Sequence, residues 1–275
     1  MHRIDKLKEY FQKYPDPYKE DLNPEDRPWS QSRDWLFHHE DLMLSGQTND
    51  IILPLKRISL TLQGGVPSCV PSTFDSIVQQ ATGIKTAIRY LWYFSRRNHG
   101  LENAVTGTYI SSCLHAANKH GYSPDHLWPY TENYDDIVTV PGIQAMQYAD
   151  DNMLITSNYY RTYGRENKKT AYQLHMPLMV GFNVGSTFLE YEGKEDDSLH
   201  SLGNDKQGGH CVAAVGVRYR YRNGSLREEH AIINFWNDWG GSLTDAEDNV
   251  LPSQCAWIDE DVMDESIDCW AVKIL

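Results

Sequence analysis

One cysteine in this chain is placed to act as a nucleophile. Cys69 ends the stretch QGGVPSC and opens a segment in which Phe74, Ile77, Val78 and Ala81 recur at three- and four-residue spacing. That spacing predicts an amphipathic helix starting at or near the cysteine. The unpaired N–H groups and the positive dipole end of a helix's first turn favour a thiolate. A lone cysteine is more often a small buried hydrophobe. A working nucleophile therefore also needs a base, and a third group holding that base in one tautomer.

Among eleven histidines, His210 stands out: it follows Gly208-Gly209 and opens the apolar run CVAAVGV. CVAAVGVRYRYR and LREEHAIINFW flank Asn223-Gly224, a two-residue type I′ hairpin signal. Antiparallel pairing sets the start of one strand beside the end of the other, so His210 and Asn237 are expected neighbours. An Asn237 amide oxygen accepting from the imidazole N–H would fix the tautomer, with a flanking tryptophan keeping water off that bond. Cys211 points to the opposite strand face and reads as core, as do Cys113, Cys255 and Cys269. His99, His115, His120 and His126 show no metal-ligand spacing, and Glu195 to Asp197 and Asp259 to Asp261 show no calcium-loop spacing. No metal and no cofactor is expected.

The elements that must position these groups fall into two halves behind an extension. Residues 1–50 combine one short helix (Asp5 to Tyr14), a proline-rich extended stretch and an apolar patch at Trp35 to Leu44. The extension either wraps the surface or covers a cleft. From residue 51 to about 140 the chain is helical, with IILPLKRISL leading in and helices expected over Thr86 to Arg97 and Thr108 to His120. A left-handed C-cap is expected at Gly121. From about 141 to 275 strands dominate: LMVGFNV after a short helix at Lys168 to His175, then the hairpin, then the closing WAVKIL. A long polar loop separates LMVGFNV from the hairpin, and loops of that length are more often functional than idle. Arg218, Arg220 and Arg222 are expected to face Glu228 or Glu229 on a solvated surface.

Composition bounds the class. The chain has 275 residues, 40% apolar and 23% charged, with a net charge of −13, a balance that repels nucleic acid and anionic membranes. Five cysteines without a CxxC pair read as reduced thiols. The N-terminus has no signal-peptide core and no window spans a bilayer, so a cytoplasmic monomer is expected, viral or delivered into another cell included.

The order Cys69, His210, Asn237 resembles that of the papain-like cysteine peptidases. His210 follows Cys69 by 141 residues and Asn237 by 168, against the roughly 130 to 150 usual for the family. Gln63 lies six before Cys69, where the family keeps its oxyanion-hole glutamine. GGHCVAAVGV looks like the family's histidine strand, and Asn237-Asp238-Trp239-Gly240 is similar to its Asn-Ser-Trp-Gly motif. HGYSPDHLWPY, PLMVGFNVGSTF and CWAVKIL extend the likeness over about residues 53–275. It implies an α+β, two-lobed fold, a helical left half carrying the nucleophile helix against a right-half antiparallel, barrel-like sheet.

The resemblance further implies hydrolysis of peptide or protein substrates through a Cys69 thioester. His210 is then the base, Asn237 its orienter, Gln63 an oxyanion donor, and Gly107, Gly209 and Trp239 the substrate-binding positions. This sequence departs from the family at Val70, where a tryptophan is usual, and at Val66, where a disulfide cysteine is usual. A transglutaminase-like acyltransferase and a non-catalytic peptide-binding relative are the alternatives.

Overall fold

The computed structural model describes residues 18–19, 50–55, 58–59, 61, 63–151, 157–191, 198–233 and 255–274. The helix expected at Asp5 to Tyr14, the patch at Trp35 to Leu44, the acidic run at Glu195 to Asp197, Asn237 and Trp239 lie outside these residues.

The left half is built on α1, Cys69–Thr82, whose residues from Cys69 to Gln79 are all buried. A helix buried on every side needs partners all round. It finds them in α2 (Ile88–Arg97), α3 (Ile110–His120) and the sheet of the right half. Gly83 ends α1 at φ 77° and ψ 1°, its N–H returning 2.8 Å to the Gln79 carbonyl. Gly121 after α3 departs from the left-handed cap expected there. Its φ is 65°, but its ψ of −163° is extended. A β-carbon there would stand 2.7 Å from the carbonyl of Ala149, in the helix spanning 143–151. Close packing demands that glycine. Residues 108–109, expected to start α3, instead form a two-residue strand before it.

The strands are β1 (Tyr18–Lys19), β2 (Ile51–Ile52), β3 (Thr108–Tyr109), β4 (Ser157–Arg161), β5 (Leu178–Val184), β6 (Gly208–Arg222), β7 (Ser225–Ile233), β8 (Cys255–Asp259) and β9 (Asp268–Ile274). β1 pairs with β3 in parallel. The large sheet runs β4-β9-β5-β6-β7-β8, with β2 on β6. It is antiparallel and open: no pairing among the described residues joins β4 to β8, so it does not close as a barrel. Asn223 and Gly224 have φ of 50° and 79°, as a type I′ hairpin turn requires.

β6 alternates between two cores. Cys211, Ala213 and Val215 face the helical half, whereas Val212 and Ala214 face a second core that includes Tyr172, Phe182 and Phe188. A bulge between Ala214 and Gly216 reverses the parity, so Val217 joins the second core. β5 leaves β6 at Ala214 and β2 takes over at Gly216. A β-carbon on Gly216 would lie 2.6 Å from the Ile51 carbonyl. All five cysteines are free and buried.

The arginine face of the hairpin differs from the solvated surface expected. Glu229 is fully buried and takes Arg218 Nε and Arg222 Nε, each at 2.7 Å. Arg220 stands opposite Arg227, and Glu228 points the other way to Lys169 Nζ at 2.8 Å. The polar loop covers this face. Leu199 bridges to Ile258, Ser198 Oγ accepts from Arg222, and Trp257 lies 3.6 Å beneath the Arg218 guanidinium. Asp259 is buried and caps the helix at 260–264 through Asp261 N–H. Glu260 and Asp261 are paired with Arg165 and Arg227.

Candidate active site

A turn and a helix start form one side of the site. Gly64, at φ 61°, turns the chain after Gln63. Ser68 N–H donates to the Val66 carbonyl at 2.8 Å and Trp92 Nε1–H to Pro67 O at 3.1 Å, which bends the loop into the first turn of α1. Cys69 is the first residue of that helix. Gln63 Nε2 donates to the Val66 carbonyl at 2.7 Å, which fixes the carboxamide plane and uses one of its two N–H hydrogens.

Tyr130 braces the loop from outside. Its hydroxyl donates to Gln63 O at 2.6 Å and meets Ser68 Oγ at 3.0 Å, so one side chain ties both ends of the segment before Cys69. In the sequence Trp128-Pro129-Tyr130 stands out only as the end of HGYSPDHLWPY. Its one usable signal was a tyrosine, a residue that seeks a partner for its hydroxyl when buried.

The other side is the start of β6. Thr73 Oγ1, one turn beyond Cys69, donates to the Cys211 carbonyl at 3.1 Å, and the Cys211 N–H reaches the Cys69 thiol. The N-terminal turn of α1 thus abuts β6 at Cys211, the residue after His210. His210 pairs across the sheet with Phe182, and its ring meets Phe188 edge-on at 5.8 Å. Its Nδ1 is shut off from solvent. Gly209 lies beside it, paired with Asn183, and Gly107 directly precedes β3. Of the expected site residues, Gln63 and Cys69 share one loop and helix start, and Gly209 and His210 directly precede Cys211, the β6 residue that meets α1. No described contact ties Gly107 to them.

The electrostatics run against the thiolate expected from the helix start. Gln63 and Cys69 are 0% exposed and His210 1%. Burial pushes the Cys69 thiol up to about 12, although the N–H groups of Cys211, Val70 and Cys69 itself pull it down. Desolvation of a charge outweighs partial charges at a helix end. Farther along α1, burial also raises Asp75, to about 7, against the pull of Thr86 N–H and Oγ1–H and of Gln79 Nε2–H. Asp75 thereby clamps α1 to the segment entering α2.

No protein-family model matches the sequence, and no curated protein matches it. Solved structures do. Xylellain, a cysteine protease from Xylella fastidiosa, superposes with a TM-score of 0.71 at 19% identity, over 94% of this chain and 95% of that one. The digestive procathepsin L 3 of Tenebrio molitor larval midgut gives 0.60 at 15% identity, over 96% and 78%. Procathepsin B S9 from Trypanosoma congolense gives 0.58 at 11% identity, over 99% and 88%. At such identities the likeness speaks to architecture, and this chain has the fold of the papain-like cysteine proteases.

Proposed function

We propose that the chain is a cysteine peptidase that hydrolyses peptide bonds through a Cys69 acyl-enzyme. The observation that carries this is the meeting of the first turns of α1 with β6 at Cys211, the residue after His210, with Gln63 in the loop that leads into the same helix. His210 takes the thiol proton as the sulfur attacks the carbonyl carbon. The oxyanion is met by the Gln63 carboxamide and the Cys69 backbone N–H. The C–N bond breaks as His210 returns its proton to the leaving amine. Water, deprotonated by His210, then attacks the thioester and the C–S bond breaks.

Asn237 orients His210 in this scheme. The antiparallel hairpin, whose last described pair is Ala213 with Ile233, supports this assignment. Trp239 shields that contact, and Gly107 and Gly209 border the bound peptide. Turnover of fluorogenic peptides by the purified chain is the test; its absence across a broad peptide library sinks the reading. Gln63→Ala removes one oxyanion donor and is expected to lower kcat about 10²- to 10³-fold. A smaller effect on kcat than on KM would place Gln63 outside the oxyanion hole.

For residues 1–50 the same reading favours covering the cleft. β1 lies parallel to β3, directly after Gly107, the glycine assigned here to the border of the bound peptide. Asp50 belongs with the body, because its Oδ1 accepts from Tyr219 N–H at 2.8 Å. Deleting residues 1–49 is expected to raise the rate at which iodoacetamide alkylates Cys69, followed by mass spectrometry. An unchanged rate would leave the extension as a surface wrap.

A further inference from the structure

Glu132 has a position that neither the fold nor the proposed chemistry explains. Residues 129–133 follow the loop that carries Gln63, without regular secondary structure. Tyr130, two residues before Glu132, is anchored to that loop by its hydroxyl. The Glu132 carboxyl lies over Gly64. A β-carbon built on Gly64 would fall 2.2 Å from Glu132 Cδ and 2.4 and 2.6 Å from its two oxygens. Glycine at 64 thus serves both the turn and the close approach of this carboxylate.

Glu132 is exposed, and no described residue makes a hydrogen bond or ion pair with its carboxylate. Two exposed acids of the right half, Asp261 and Asp264, are by contrast held by Arg165. An exposed carboxylate packed on the residue after Gln63 is a receptor for an ammonium or guanidinium group. Resting on the peptidase reading above, we propose that Glu132 is a specificity-determining residue. It receives a cationic group of the substrate, a Lys or Arg side chain or a free α-ammonium, at the wall formed by the Gln63–Gly65 loop.

The test is competitive cleavage of matched peptides by the full chain. Each position within three of the scissile bond carries Lys, Gln or Glu in turn, and every peptide is made with a free and with an acetylated N-terminus. Wild type is expected to prefer Lys over Gln at one position by roughly two- to five-fold, the range of an exposed ion pair, and the preference should shrink with added salt. In Glu132→Gln that ratio falls to about one, and in Glu132→Lys it inverts in favour of Glu. If the preference instead follows the free N-terminus and vanishes in both variants, the cationic group is the α-ammonium. Identical ratios in all three proteins at every position would overturn the assignment of Glu132 alone. Failure of wild type to cleave any of the peptides would overturn the peptidase reading and this assignment with it.

Discussion

Replacing Cys69 by alanine is expected to lower peptide turnover by on the order of 10⁴-fold or more, and His210→Ala by a similar factor. In the proposed scheme the two groups act as one unit: without the imidazole the buried thiol stays protonated, and without the thiol the imidazole has no proton to take. The double variant should therefore sit near the same floor as either single one. Additive losses would argue for two separate roles. Burial makes the dependence on His210 steep. A thiol that desolvation holds at about 12 exposes almost no thiolate at neutral pH by itself, so proton transfer to the base must accompany attack. Cys69→Ala removes only one sulfur from a fully buried site, and its urea midpoint should stay close to wild type. Wild-type turnover in the folded Cys69→Ala protein would end the proposal.

The largest stability effect is expected at Glu229. Its fully buried carboxylate is the shared partner of Arg218 and Arg222, and the Arg218 side chain is only 8% exposed. Glu229→Ala leaves a buried guanidinium without its counter-charge and should cost about 3–5 kcal/mol, read as a lower urea midpoint at unchanged slope. Replacing Arg218 and Glu229 together by Met and Leu should recover most of the loss, because the cost lies in the orphaned charge. A single-variant loss under about 0.5 kcal/mol would contradict this.

The pH dependence has a definite sign. Burial tends to raise the Glu229 carboxyl, but the Ser198 hydroxyl, Arg218 and Arg222 leave it below its ordinary value of 4.5. The stability it contributes is therefore complete above that value and is lost as pH falls through the lower folded value. Glu229→Gln should flatten this acid limb.

Much of the site's framework was legible because its signals are local. The period of Phe74, Ile77 and Val78 marks α1, and Asn223-Gly224 marks the hairpin. LMVGFNV reads as β5, spanning Leu178 to Val184. What escaped depends on contacts distant in sequence. Strict alternation along β6 cannot reveal a bulge at Val215, since the approach of Ile51 and Ile52 determines where the strand changes neighbours. Nor does alternation tell which face of a ladder is covered, so Glu229 read as solvated until Ser198 and Leu199 lay over it. The strand at Thr108–Tyr109 exists through pairing with residues some ninety positions away. Cys69 posed the subtler problem. A helix start predicts stabilised negative charge, yet the packing of α2, α3 and β6 around it removes the water that charge would need.

The double-faced strand β6 sets how this protein can change. Residues 211–217 supply the ceiling of one core and the floor of the other, with His210 at the edge of both. A substitution there that reshapes the bed of the nucleophile helix also repacks the neighbours of Phe182 and Phe188. The two lobes are therefore unable to drift apart in sequence one at a time. Among the described residues, the loop around Gly64 is held by contacts within the helical lobe, through Val66, Trp92 and Tyr130, and there new substrate preferences can arise without disturbing that shared wall.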